Sequence, residues 1–142
     1  MAPTNIELVL RAFEAFNRGD WEAATNVPED FVWINDAETV RMTGTPRQAT
    51  GPDELREFWR AFFGLWDEWQ MVPGEPVEDD SGHVFIPVHF SGRGKGSGVP
   101  IDWDYFHVWE FRDGRPAKIS NIRDREAALA AAGLSDPPRG TR

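Results

Sequence analysis

Residues 98–124 read GVPIDWDYFHVWEFRDGRPAKISNIRD, and the alternation in this stretch sets the fold. From Ile101 onward the odd positions are Ile101, Trp103, Tyr105, His107, Trp109 and Phe111, and the even ones are Asp102, Asp104, Phe106, Val108 and Glu110. A period of two sends the odd set to one face of a strand and the even set to the other. Asp113-Gly114 between two extended runs signals a hairpin, and the return strand, Ala117 to Asp124, carries Ile119, Asn121 and Arg123 in one row. An aromatic face with a few polar groups is the material of a small-molecule cavity, and equally of a plain core.

Working outward, the chain before this hairpin is mostly helical. Thr4-x-x-Glu7 is a capping box, followed by apolar residues at helical spacing as far as Phe16 and a stop at Asn17-Arg18-Gly19. Asp20 caps a short helix, Trp21 to Asn26, which Pro28 ends. Phe31 to Ile34, with Trp33, is a short strand. Asn35 to Thr50 has no periodicity and reads as either a lid or a surface excursion. Pro52, Asp53 and Glu54 suit the first turn of a further helix, whose stripe Leu55, Phe58, Trp59, Phe62 and Trp66 forms core or the roof of a cavity. An edge strand with Pro73 and Pro76 follows.

The next strand, His83 to Ser91, puts Val84, Ile86, Val88 and Phe90 on one face and Phe85, Pro87 and His89 on the other. The glycine-rich 92–98 segment joins two strands, so it is a hairpin tip and not a phosphate loop. Asp124 caps a last helix, Arg125 to Ala132, and Ser135 to Arg142 reads as a loose tail. Strands grouped together argue for an α+β fold with an antiparallel sheet and helices on one side. The expected organisation is one domain over residues 1–134 and a flexible tail over 135–142.

Composition excludes several functions. A net charge of −9 and a pI near 4.7 argue against nucleic acid as a partner. There is no Cys, and the three His residues form no metal motif, so no metal and no cofactor is expected. No stretch is long and apolar enough to cross a membrane. Met1 to Arg11 has no secretory pattern, so the expected location is cytoplasmic.

Several strings resemble the SnoaL-like branch of the nuclear transport factor 2-like superfamily. They are Ala12 to Trp21, Gly51 to Trp59, Gly92 to Gly98, His107 to Gly114 and Asp124 to Leu129, and the likeness covers about residues 5 to 134. It implies a cone-shaped roll of the cystatin-like type: a curved, mostly antiparallel sheet wrapped around N-terminal helices, with one cavity. The fold hosts isomerases, dehydratases, epoxide hydrolases, polyketide cyclases and proteins that only bind. The acid, tyrosine and acid of the ketosteroid-isomerising relatives fall on Asn35 (beside Asp36), Ala12 and His107, which departs from their pattern. The His and Asp of the cyclases fall on His107 and Asn121, and an amide accepts no proton.

The resulting candidates are His107 for proton transfer, and Trp33, Asn35, Trp59, Phe62, His89, Trp103, Tyr105, Asn121 and Arg123 for binding an apolar, ring-containing small molecule. His89 shares the cavity parity of its strand, although register across the hairpin stays open. Arg123 either neutralises an anionic ligand or bridges to a carboxylate, the bridge being the expectation. Whether the chain is an enzyme turns on a carboxylate beside His107; without one, the alternative is a binding or assembly module. Val84, Ile86, Val88, Phe90, Phe106 and Val108 are expected to form an uncovered apolar face for a homodimer, as the resemblance also implies.

Overall fold

The computed structural model describes residues 3–133. The loose tail expected at 135–142 lies outside them. The elements are α1 (Asn5–Arg18), α2 (Trp21–Ala24), β1 (Val32–Asn35), α3 (Ala37–Thr43), β2 (Gln48–Thr50), α4 (Gly51–Phe63), β3 (Trp66–Pro73), β4 (Val77–Glu78), β5 (Val84–Gly94), β6 (Pro100–Arg112), β7 (Arg115–Ile122) and α5 (Arg125–Ala131).

Seven strands form one curved sheet in the order β2-β1-β7-β6-β5-β3, with β4 also on β5. Among the described residues only the β1–β7 pairing is parallel. The fold is the α+β roll that the sequence predicts. The 98–124 hairpin is its centre, because β6 pairs with both β5 and β7 along most of its length. Its turn takes positive φ at both Asp113 and Gly114, 54° and 75°, the geometry that matches the twist of a two-residue hairpin.

The helices form where their caps are. The Thr4/Glu7 capping box is complete in both directions, and Gly19 closes α1 in the left-handed region. Asp20 and Asp124 accept the backbone N–H groups of Ala23 and Ala127 at the starts of α2 and α5. Two expectations need correcting here. Residues 35–50 are not irregular: Asp36 caps α3 by accepting the Thr39 N–H at 2.9 Å, Gly44 ends it at φ 72°, and β2 then pairs with β1. Trp66 does not lie on α4; it opens β3, one residue after the turn.

The core fills the concave side. Phe13 and Phe16 of α1 and Leu55, Phe58, Trp59, Phe62 and Phe63 of α4 pack on Trp33, Ile86, Phe90 and Trp109 of the sheet. Register corrects the apolar outer face. Ile86, Val88 and Phe90 stand opposite His107, Tyr105 and Trp103, so Val84, Ile86, Val88 and Phe90 point into the core and are at most 2% exposed. Phe85, Phe106 and Val108 do face outward, but Ala128 and Leu129 of α5 and Ala132 just after it cover them. The apolar patch expected to drive dimerisation is therefore already consumed within one chain.

Candidate functional site

α3 lines one side of a small cavity. The walls come from Trp33 of β1, Phe58, Trp59 and Phe62 of α4, Trp103 and Tyr105 of β6, and Asn121 and Arg123 at the end of β7; Thr39, Met42 and Thr43 of α3 complete the lining. Seven of the nine expected binding residues meet there. The odd row of β6 and the row of β7 bring them together across one ladder, while α4 supplies the facing rings. The space left is about 20 Å³, room for roughly one water molecule. A second hollow of about 500 Å³ opens between α1, α2 and β7, but its floor residues Phe16, Phe31, Trp33, Leu55 and Trp109 are sealed at 2% exposure or less. It is a surface groove over a closed core.

The small cavity is rich in polar atoms that the protein leaves unpaired. Thr39 Oγ1, Trp59 Nε1, Asn121 Oδ1 and Arg123 Nε are buried and have no hydrogen-bond partner among the described residues. Buried polar groups are nearly always paired, and an unpaired one costs about 1–3 kcal/mol. Four such atoms on residues lining one cavity make it the candidate site.

Arg123 is anchored from its backbone: its N–H donates to Asp36 Oδ2 at 2.7 Å. Its guanidinium lies over the Trp103 ring at 5.8 Å and its Nη1 donates to Met42 Sδ at 3.1 Å. Among the described residues Arg123 makes none of the expected salt bridges, and the neighbouring Asp36 accepts from two backbone N–H groups, those of Thr39 and Arg123. Tyr105 sits beside this cation; burial pushes its phenol up, opposed by the Arg123 charge.

Three candidates stand elsewhere. Asn35 is fully buried behind the wall; it accepts from Trp33 Nε1 at 2.9 Å and from Asn121 Nδ2 at 3.1 Å, and donates to Pro46 O at 2.9 Å. His107 is also behind the wall, 0% exposed among Phe13, Trp33, Tyr105 and Trp109. Neither of its ring nitrogens has a partner among the described residues. Burial pushes its imidazole down to about 3, so it is neutral across physiological pH.

His89 is on the opposite face of the sheet from the cavity. It is paired with Asp104 across β5–β6, its Nδ1 lies 2.8 Å from Asp104 Oδ1, and its Nε2 contacts Asp102 Oδ1. The hydrogen bond to Asp104 raises its pKa, helped by the charges of Asp102 and Asp104. The expectation that His89 faces the ligand fails because β5 meets β6 in the other parity. α3 contributes what the sequence reading missed. Its periodicity is weak, but the Asp36 cap and the Gly44 stop were both legible.

Comparisons with known proteins now add the family. A model of the SnoaL-like domain matches residues 9–119. The chain belongs to the SnoaL-like domain family. Among solved structures, TerC co-crystallised with polyporic acid aligns at 22% identity and TM-score 0.73, over 90% of this chain and 96% of that one. An NTF2-like protein from Burkholderia pseudomallei aligns at 21% and 0.74, over 90% and 96%. A protein of ketosteroid isomerase-like fold from Catenulispora acidiphila, in complex with trimethylamine, aligns at 15% and 0.70 over the whole of both chains. At these identities the likeness carries the fold alone. A search of the curated proteins finds no match.

Proposed function

We propose that this SnoaL-like chain binds a ring-containing small molecule in the aromatic cavity beneath α3. The observation that carries the reading is the set of buried, unpaired polar atoms on Thr39, Trp59, Asn121 and Arg123, all residues of one cavity. An aromatic wall with a few converging polar groups is how such sites gain both affinity and orientation. A ring needs more than about 20 Å³, so entry requires α3 and Met42 to yield. Two structural neighbours crystallised with small organic molecules keep this reading company without naming the ligand.

The test is a screen of ring-containing ketones, lactones and aromatic acids, read by tryptophan fluorescence and by thermal shift. Trp33, Trp59 and Trp103 line the site, so occupancy should change the emission. A ligand whose effect persists in Thr39→Val or Asn121→Leu as strongly as in the parent would place binding elsewhere and retire the reading.

A proton-transfer role for His107 is a second reading, favoured by its two unpaired ring nitrogens. It borders Tyr105 and stands opposite Asn121, both of which line the cavity. Against it stands the lack of any carboxylate partner among the described residues, which favours binding over turnover. An imidazole held near 3 is also a weak base at neutral pH. Turnover of any screened ligand that vanishes in His107→Phe, with affinity unchanged, would decide for catalysis.

A further inference from the structure

The wall specifies more than a ring, and this step rests on the binding reading above. Begin with Trp33, whose Nε1–H can only donate. It donates to Asn35 Oδ1, while Asn35 Nδ2 donates to Pro46 O. These two bonds fix which end of the Asn35 amide points where, independently of any assignment by appearance. Asn35 Oδ1 can then only accept from Asn121, so Asn121 must turn its Nδ2 inward, at 3.1 Å. Asn121 Oδ1 is left as an acceptor without a partner among the described residues, on a residue of the cavity wall.

The other polar side of the cavity is cationic. Arg123 has no carboxylate partner among the described residues, and Nη1 spends a charged donor on the thioether of Met42, a weak acceptor. Met42 itself is 39% exposed on α3, so it is free to leave. An anionic oxygen in place of that sulfur would make a charge-assisted bond, roughly twice as strong as a neutral one.

We infer that the ligand is an aromatic acid that also carries a hydroxyl. Its carboxylate replaces the Met42 sulfur on Arg123, its hydroxyl donates to Asn121 Oδ1, and its ring lies among Trp59, Phe62 and Trp103. A neutral ester loses the charged bond. An acid without the hydroxyl leaves Asn121 Oδ1 unpaired inside a filled site, and sites built around a buried polar group reject such analogues strongly.

The test is isothermal titration of the intact chain with 2-, 3- and 4-hydroxybenzoate, their methyl esters, and benzoate. At least one hydroxy acid should bind about tenfold or more tighter than both its ester and benzoate. Arg123→Gln should erase the preference for acid over ester, and Asn121→Leu the preference for hydroxyl over hydrogen. If Asn121→Leu does not fold, the ranking with the parent protein still decides. Esters that bind as tightly as their acids overturn the inference while the cavity reading stands. Binding of ketones or lactones alone, with none of the hydroxy acids, does the same. Binding of no ring compound of any kind removes both.

Discussion

Asn121 stands directly opposite His107 across β6 and β7, yet the two side chains share no hydrogen bond. The Asn121 amide is drawn to Asn35 instead, and the imidazole packs among aromatic rings. The two positions that the resemblance aligns with the His and Asp of the cyclases are thus divided between two tasks. One residue presents an acceptor at the cavity, and the other fills the layer beneath.

His107→Leu should therefore stabilise the fold by about 1–3 kcal/mol, because a buried group without a partner costs that much and an apolar side chain of similar size does not. Urea unfolding at pH 7 measures it. A loss of stability would show that the imidazole is hydrogen-bonded in solution.

The same residue should shape the acid limb of the stability curve. Burial lowers the folded pKa to about 3, from an unfolded value of about 6.5. The unfolded chain then binds the extra proton first, so stability is full above pH 6.5 and falls as pH drops towards 3, by up to about 1.4 kcal/mol per pH unit. His107→Leu should be flatter than the parent over that window. Parallel curves would refute the buried, neutral imidazole.

His89 should titrate in the opposite sense. Its raised folded pKa gives a contribution that is complete below the unfolded value and is lost as pH rises through the folded one. The side chain is 45% exposed, so the effect on stability is small and the direct measurement is an NMR titration of the ring. Asp102→Asn with Asp104→Asn should bring its pKa back towards about 6.5, while the cavity keeps its ligands.

Asn35→Leu should be the most damaging change at the site, although Asn35 touches no open space. It strands the Trp33 indole N–H, the Asn121 amide and the Pro46 carbonyl together, at about 1–3 kcal/mol for each buried group left unpaired. A melt within a degree or two of the parent would mean that the three groups find other partners.

Gly44, at the end of α3, tests whether α3 is the lid, with Gly51 at the start of α4 for comparison. Gly44 and Gly51 have similar positive φ, 72° and 81°, but a Cβ at Gly44 meets nothing within 4 Å, whereas one at Gly51 lies 2.9 Å from the Glu29 carbonyl oxygen. Gly44→Ala should cost about 1–2 kcal/mol of backbone strain, loosening α3 and raising the off-rate of any ligand. Gly51→Ala should cost clearly more, because the backbone at Glu29 must move as well. Equal costs would show that the contact yields freely.

The sequence alone determined most of the elements and which residues share a face of each strand. Capping residues Thr4, Asp20 and Asp124, the Asp113-Gly114 turn and the odd-numbered row of β6 act through neighbours a few residues away, so their outcome was readable locally. Residues 35–50 were readable in their caps but not in their periodicity, since a seven-residue helix shows its apolar face barely twice. What only the tertiary structure decided was pairing between distant segments. The β5–β6 register sent His89 outward and Val84, Ile86, Val88 and Phe90 inward, a choice in which a one-residue shift exchanges every side chain between faces. The parallel β1–β7 contact then set Asn35 beside Asn121. That contact turned one amide away from His107 and left its oxygen at the cavity, because hydrogen bonds between strands 86 residues apart leave no trace in local pattern.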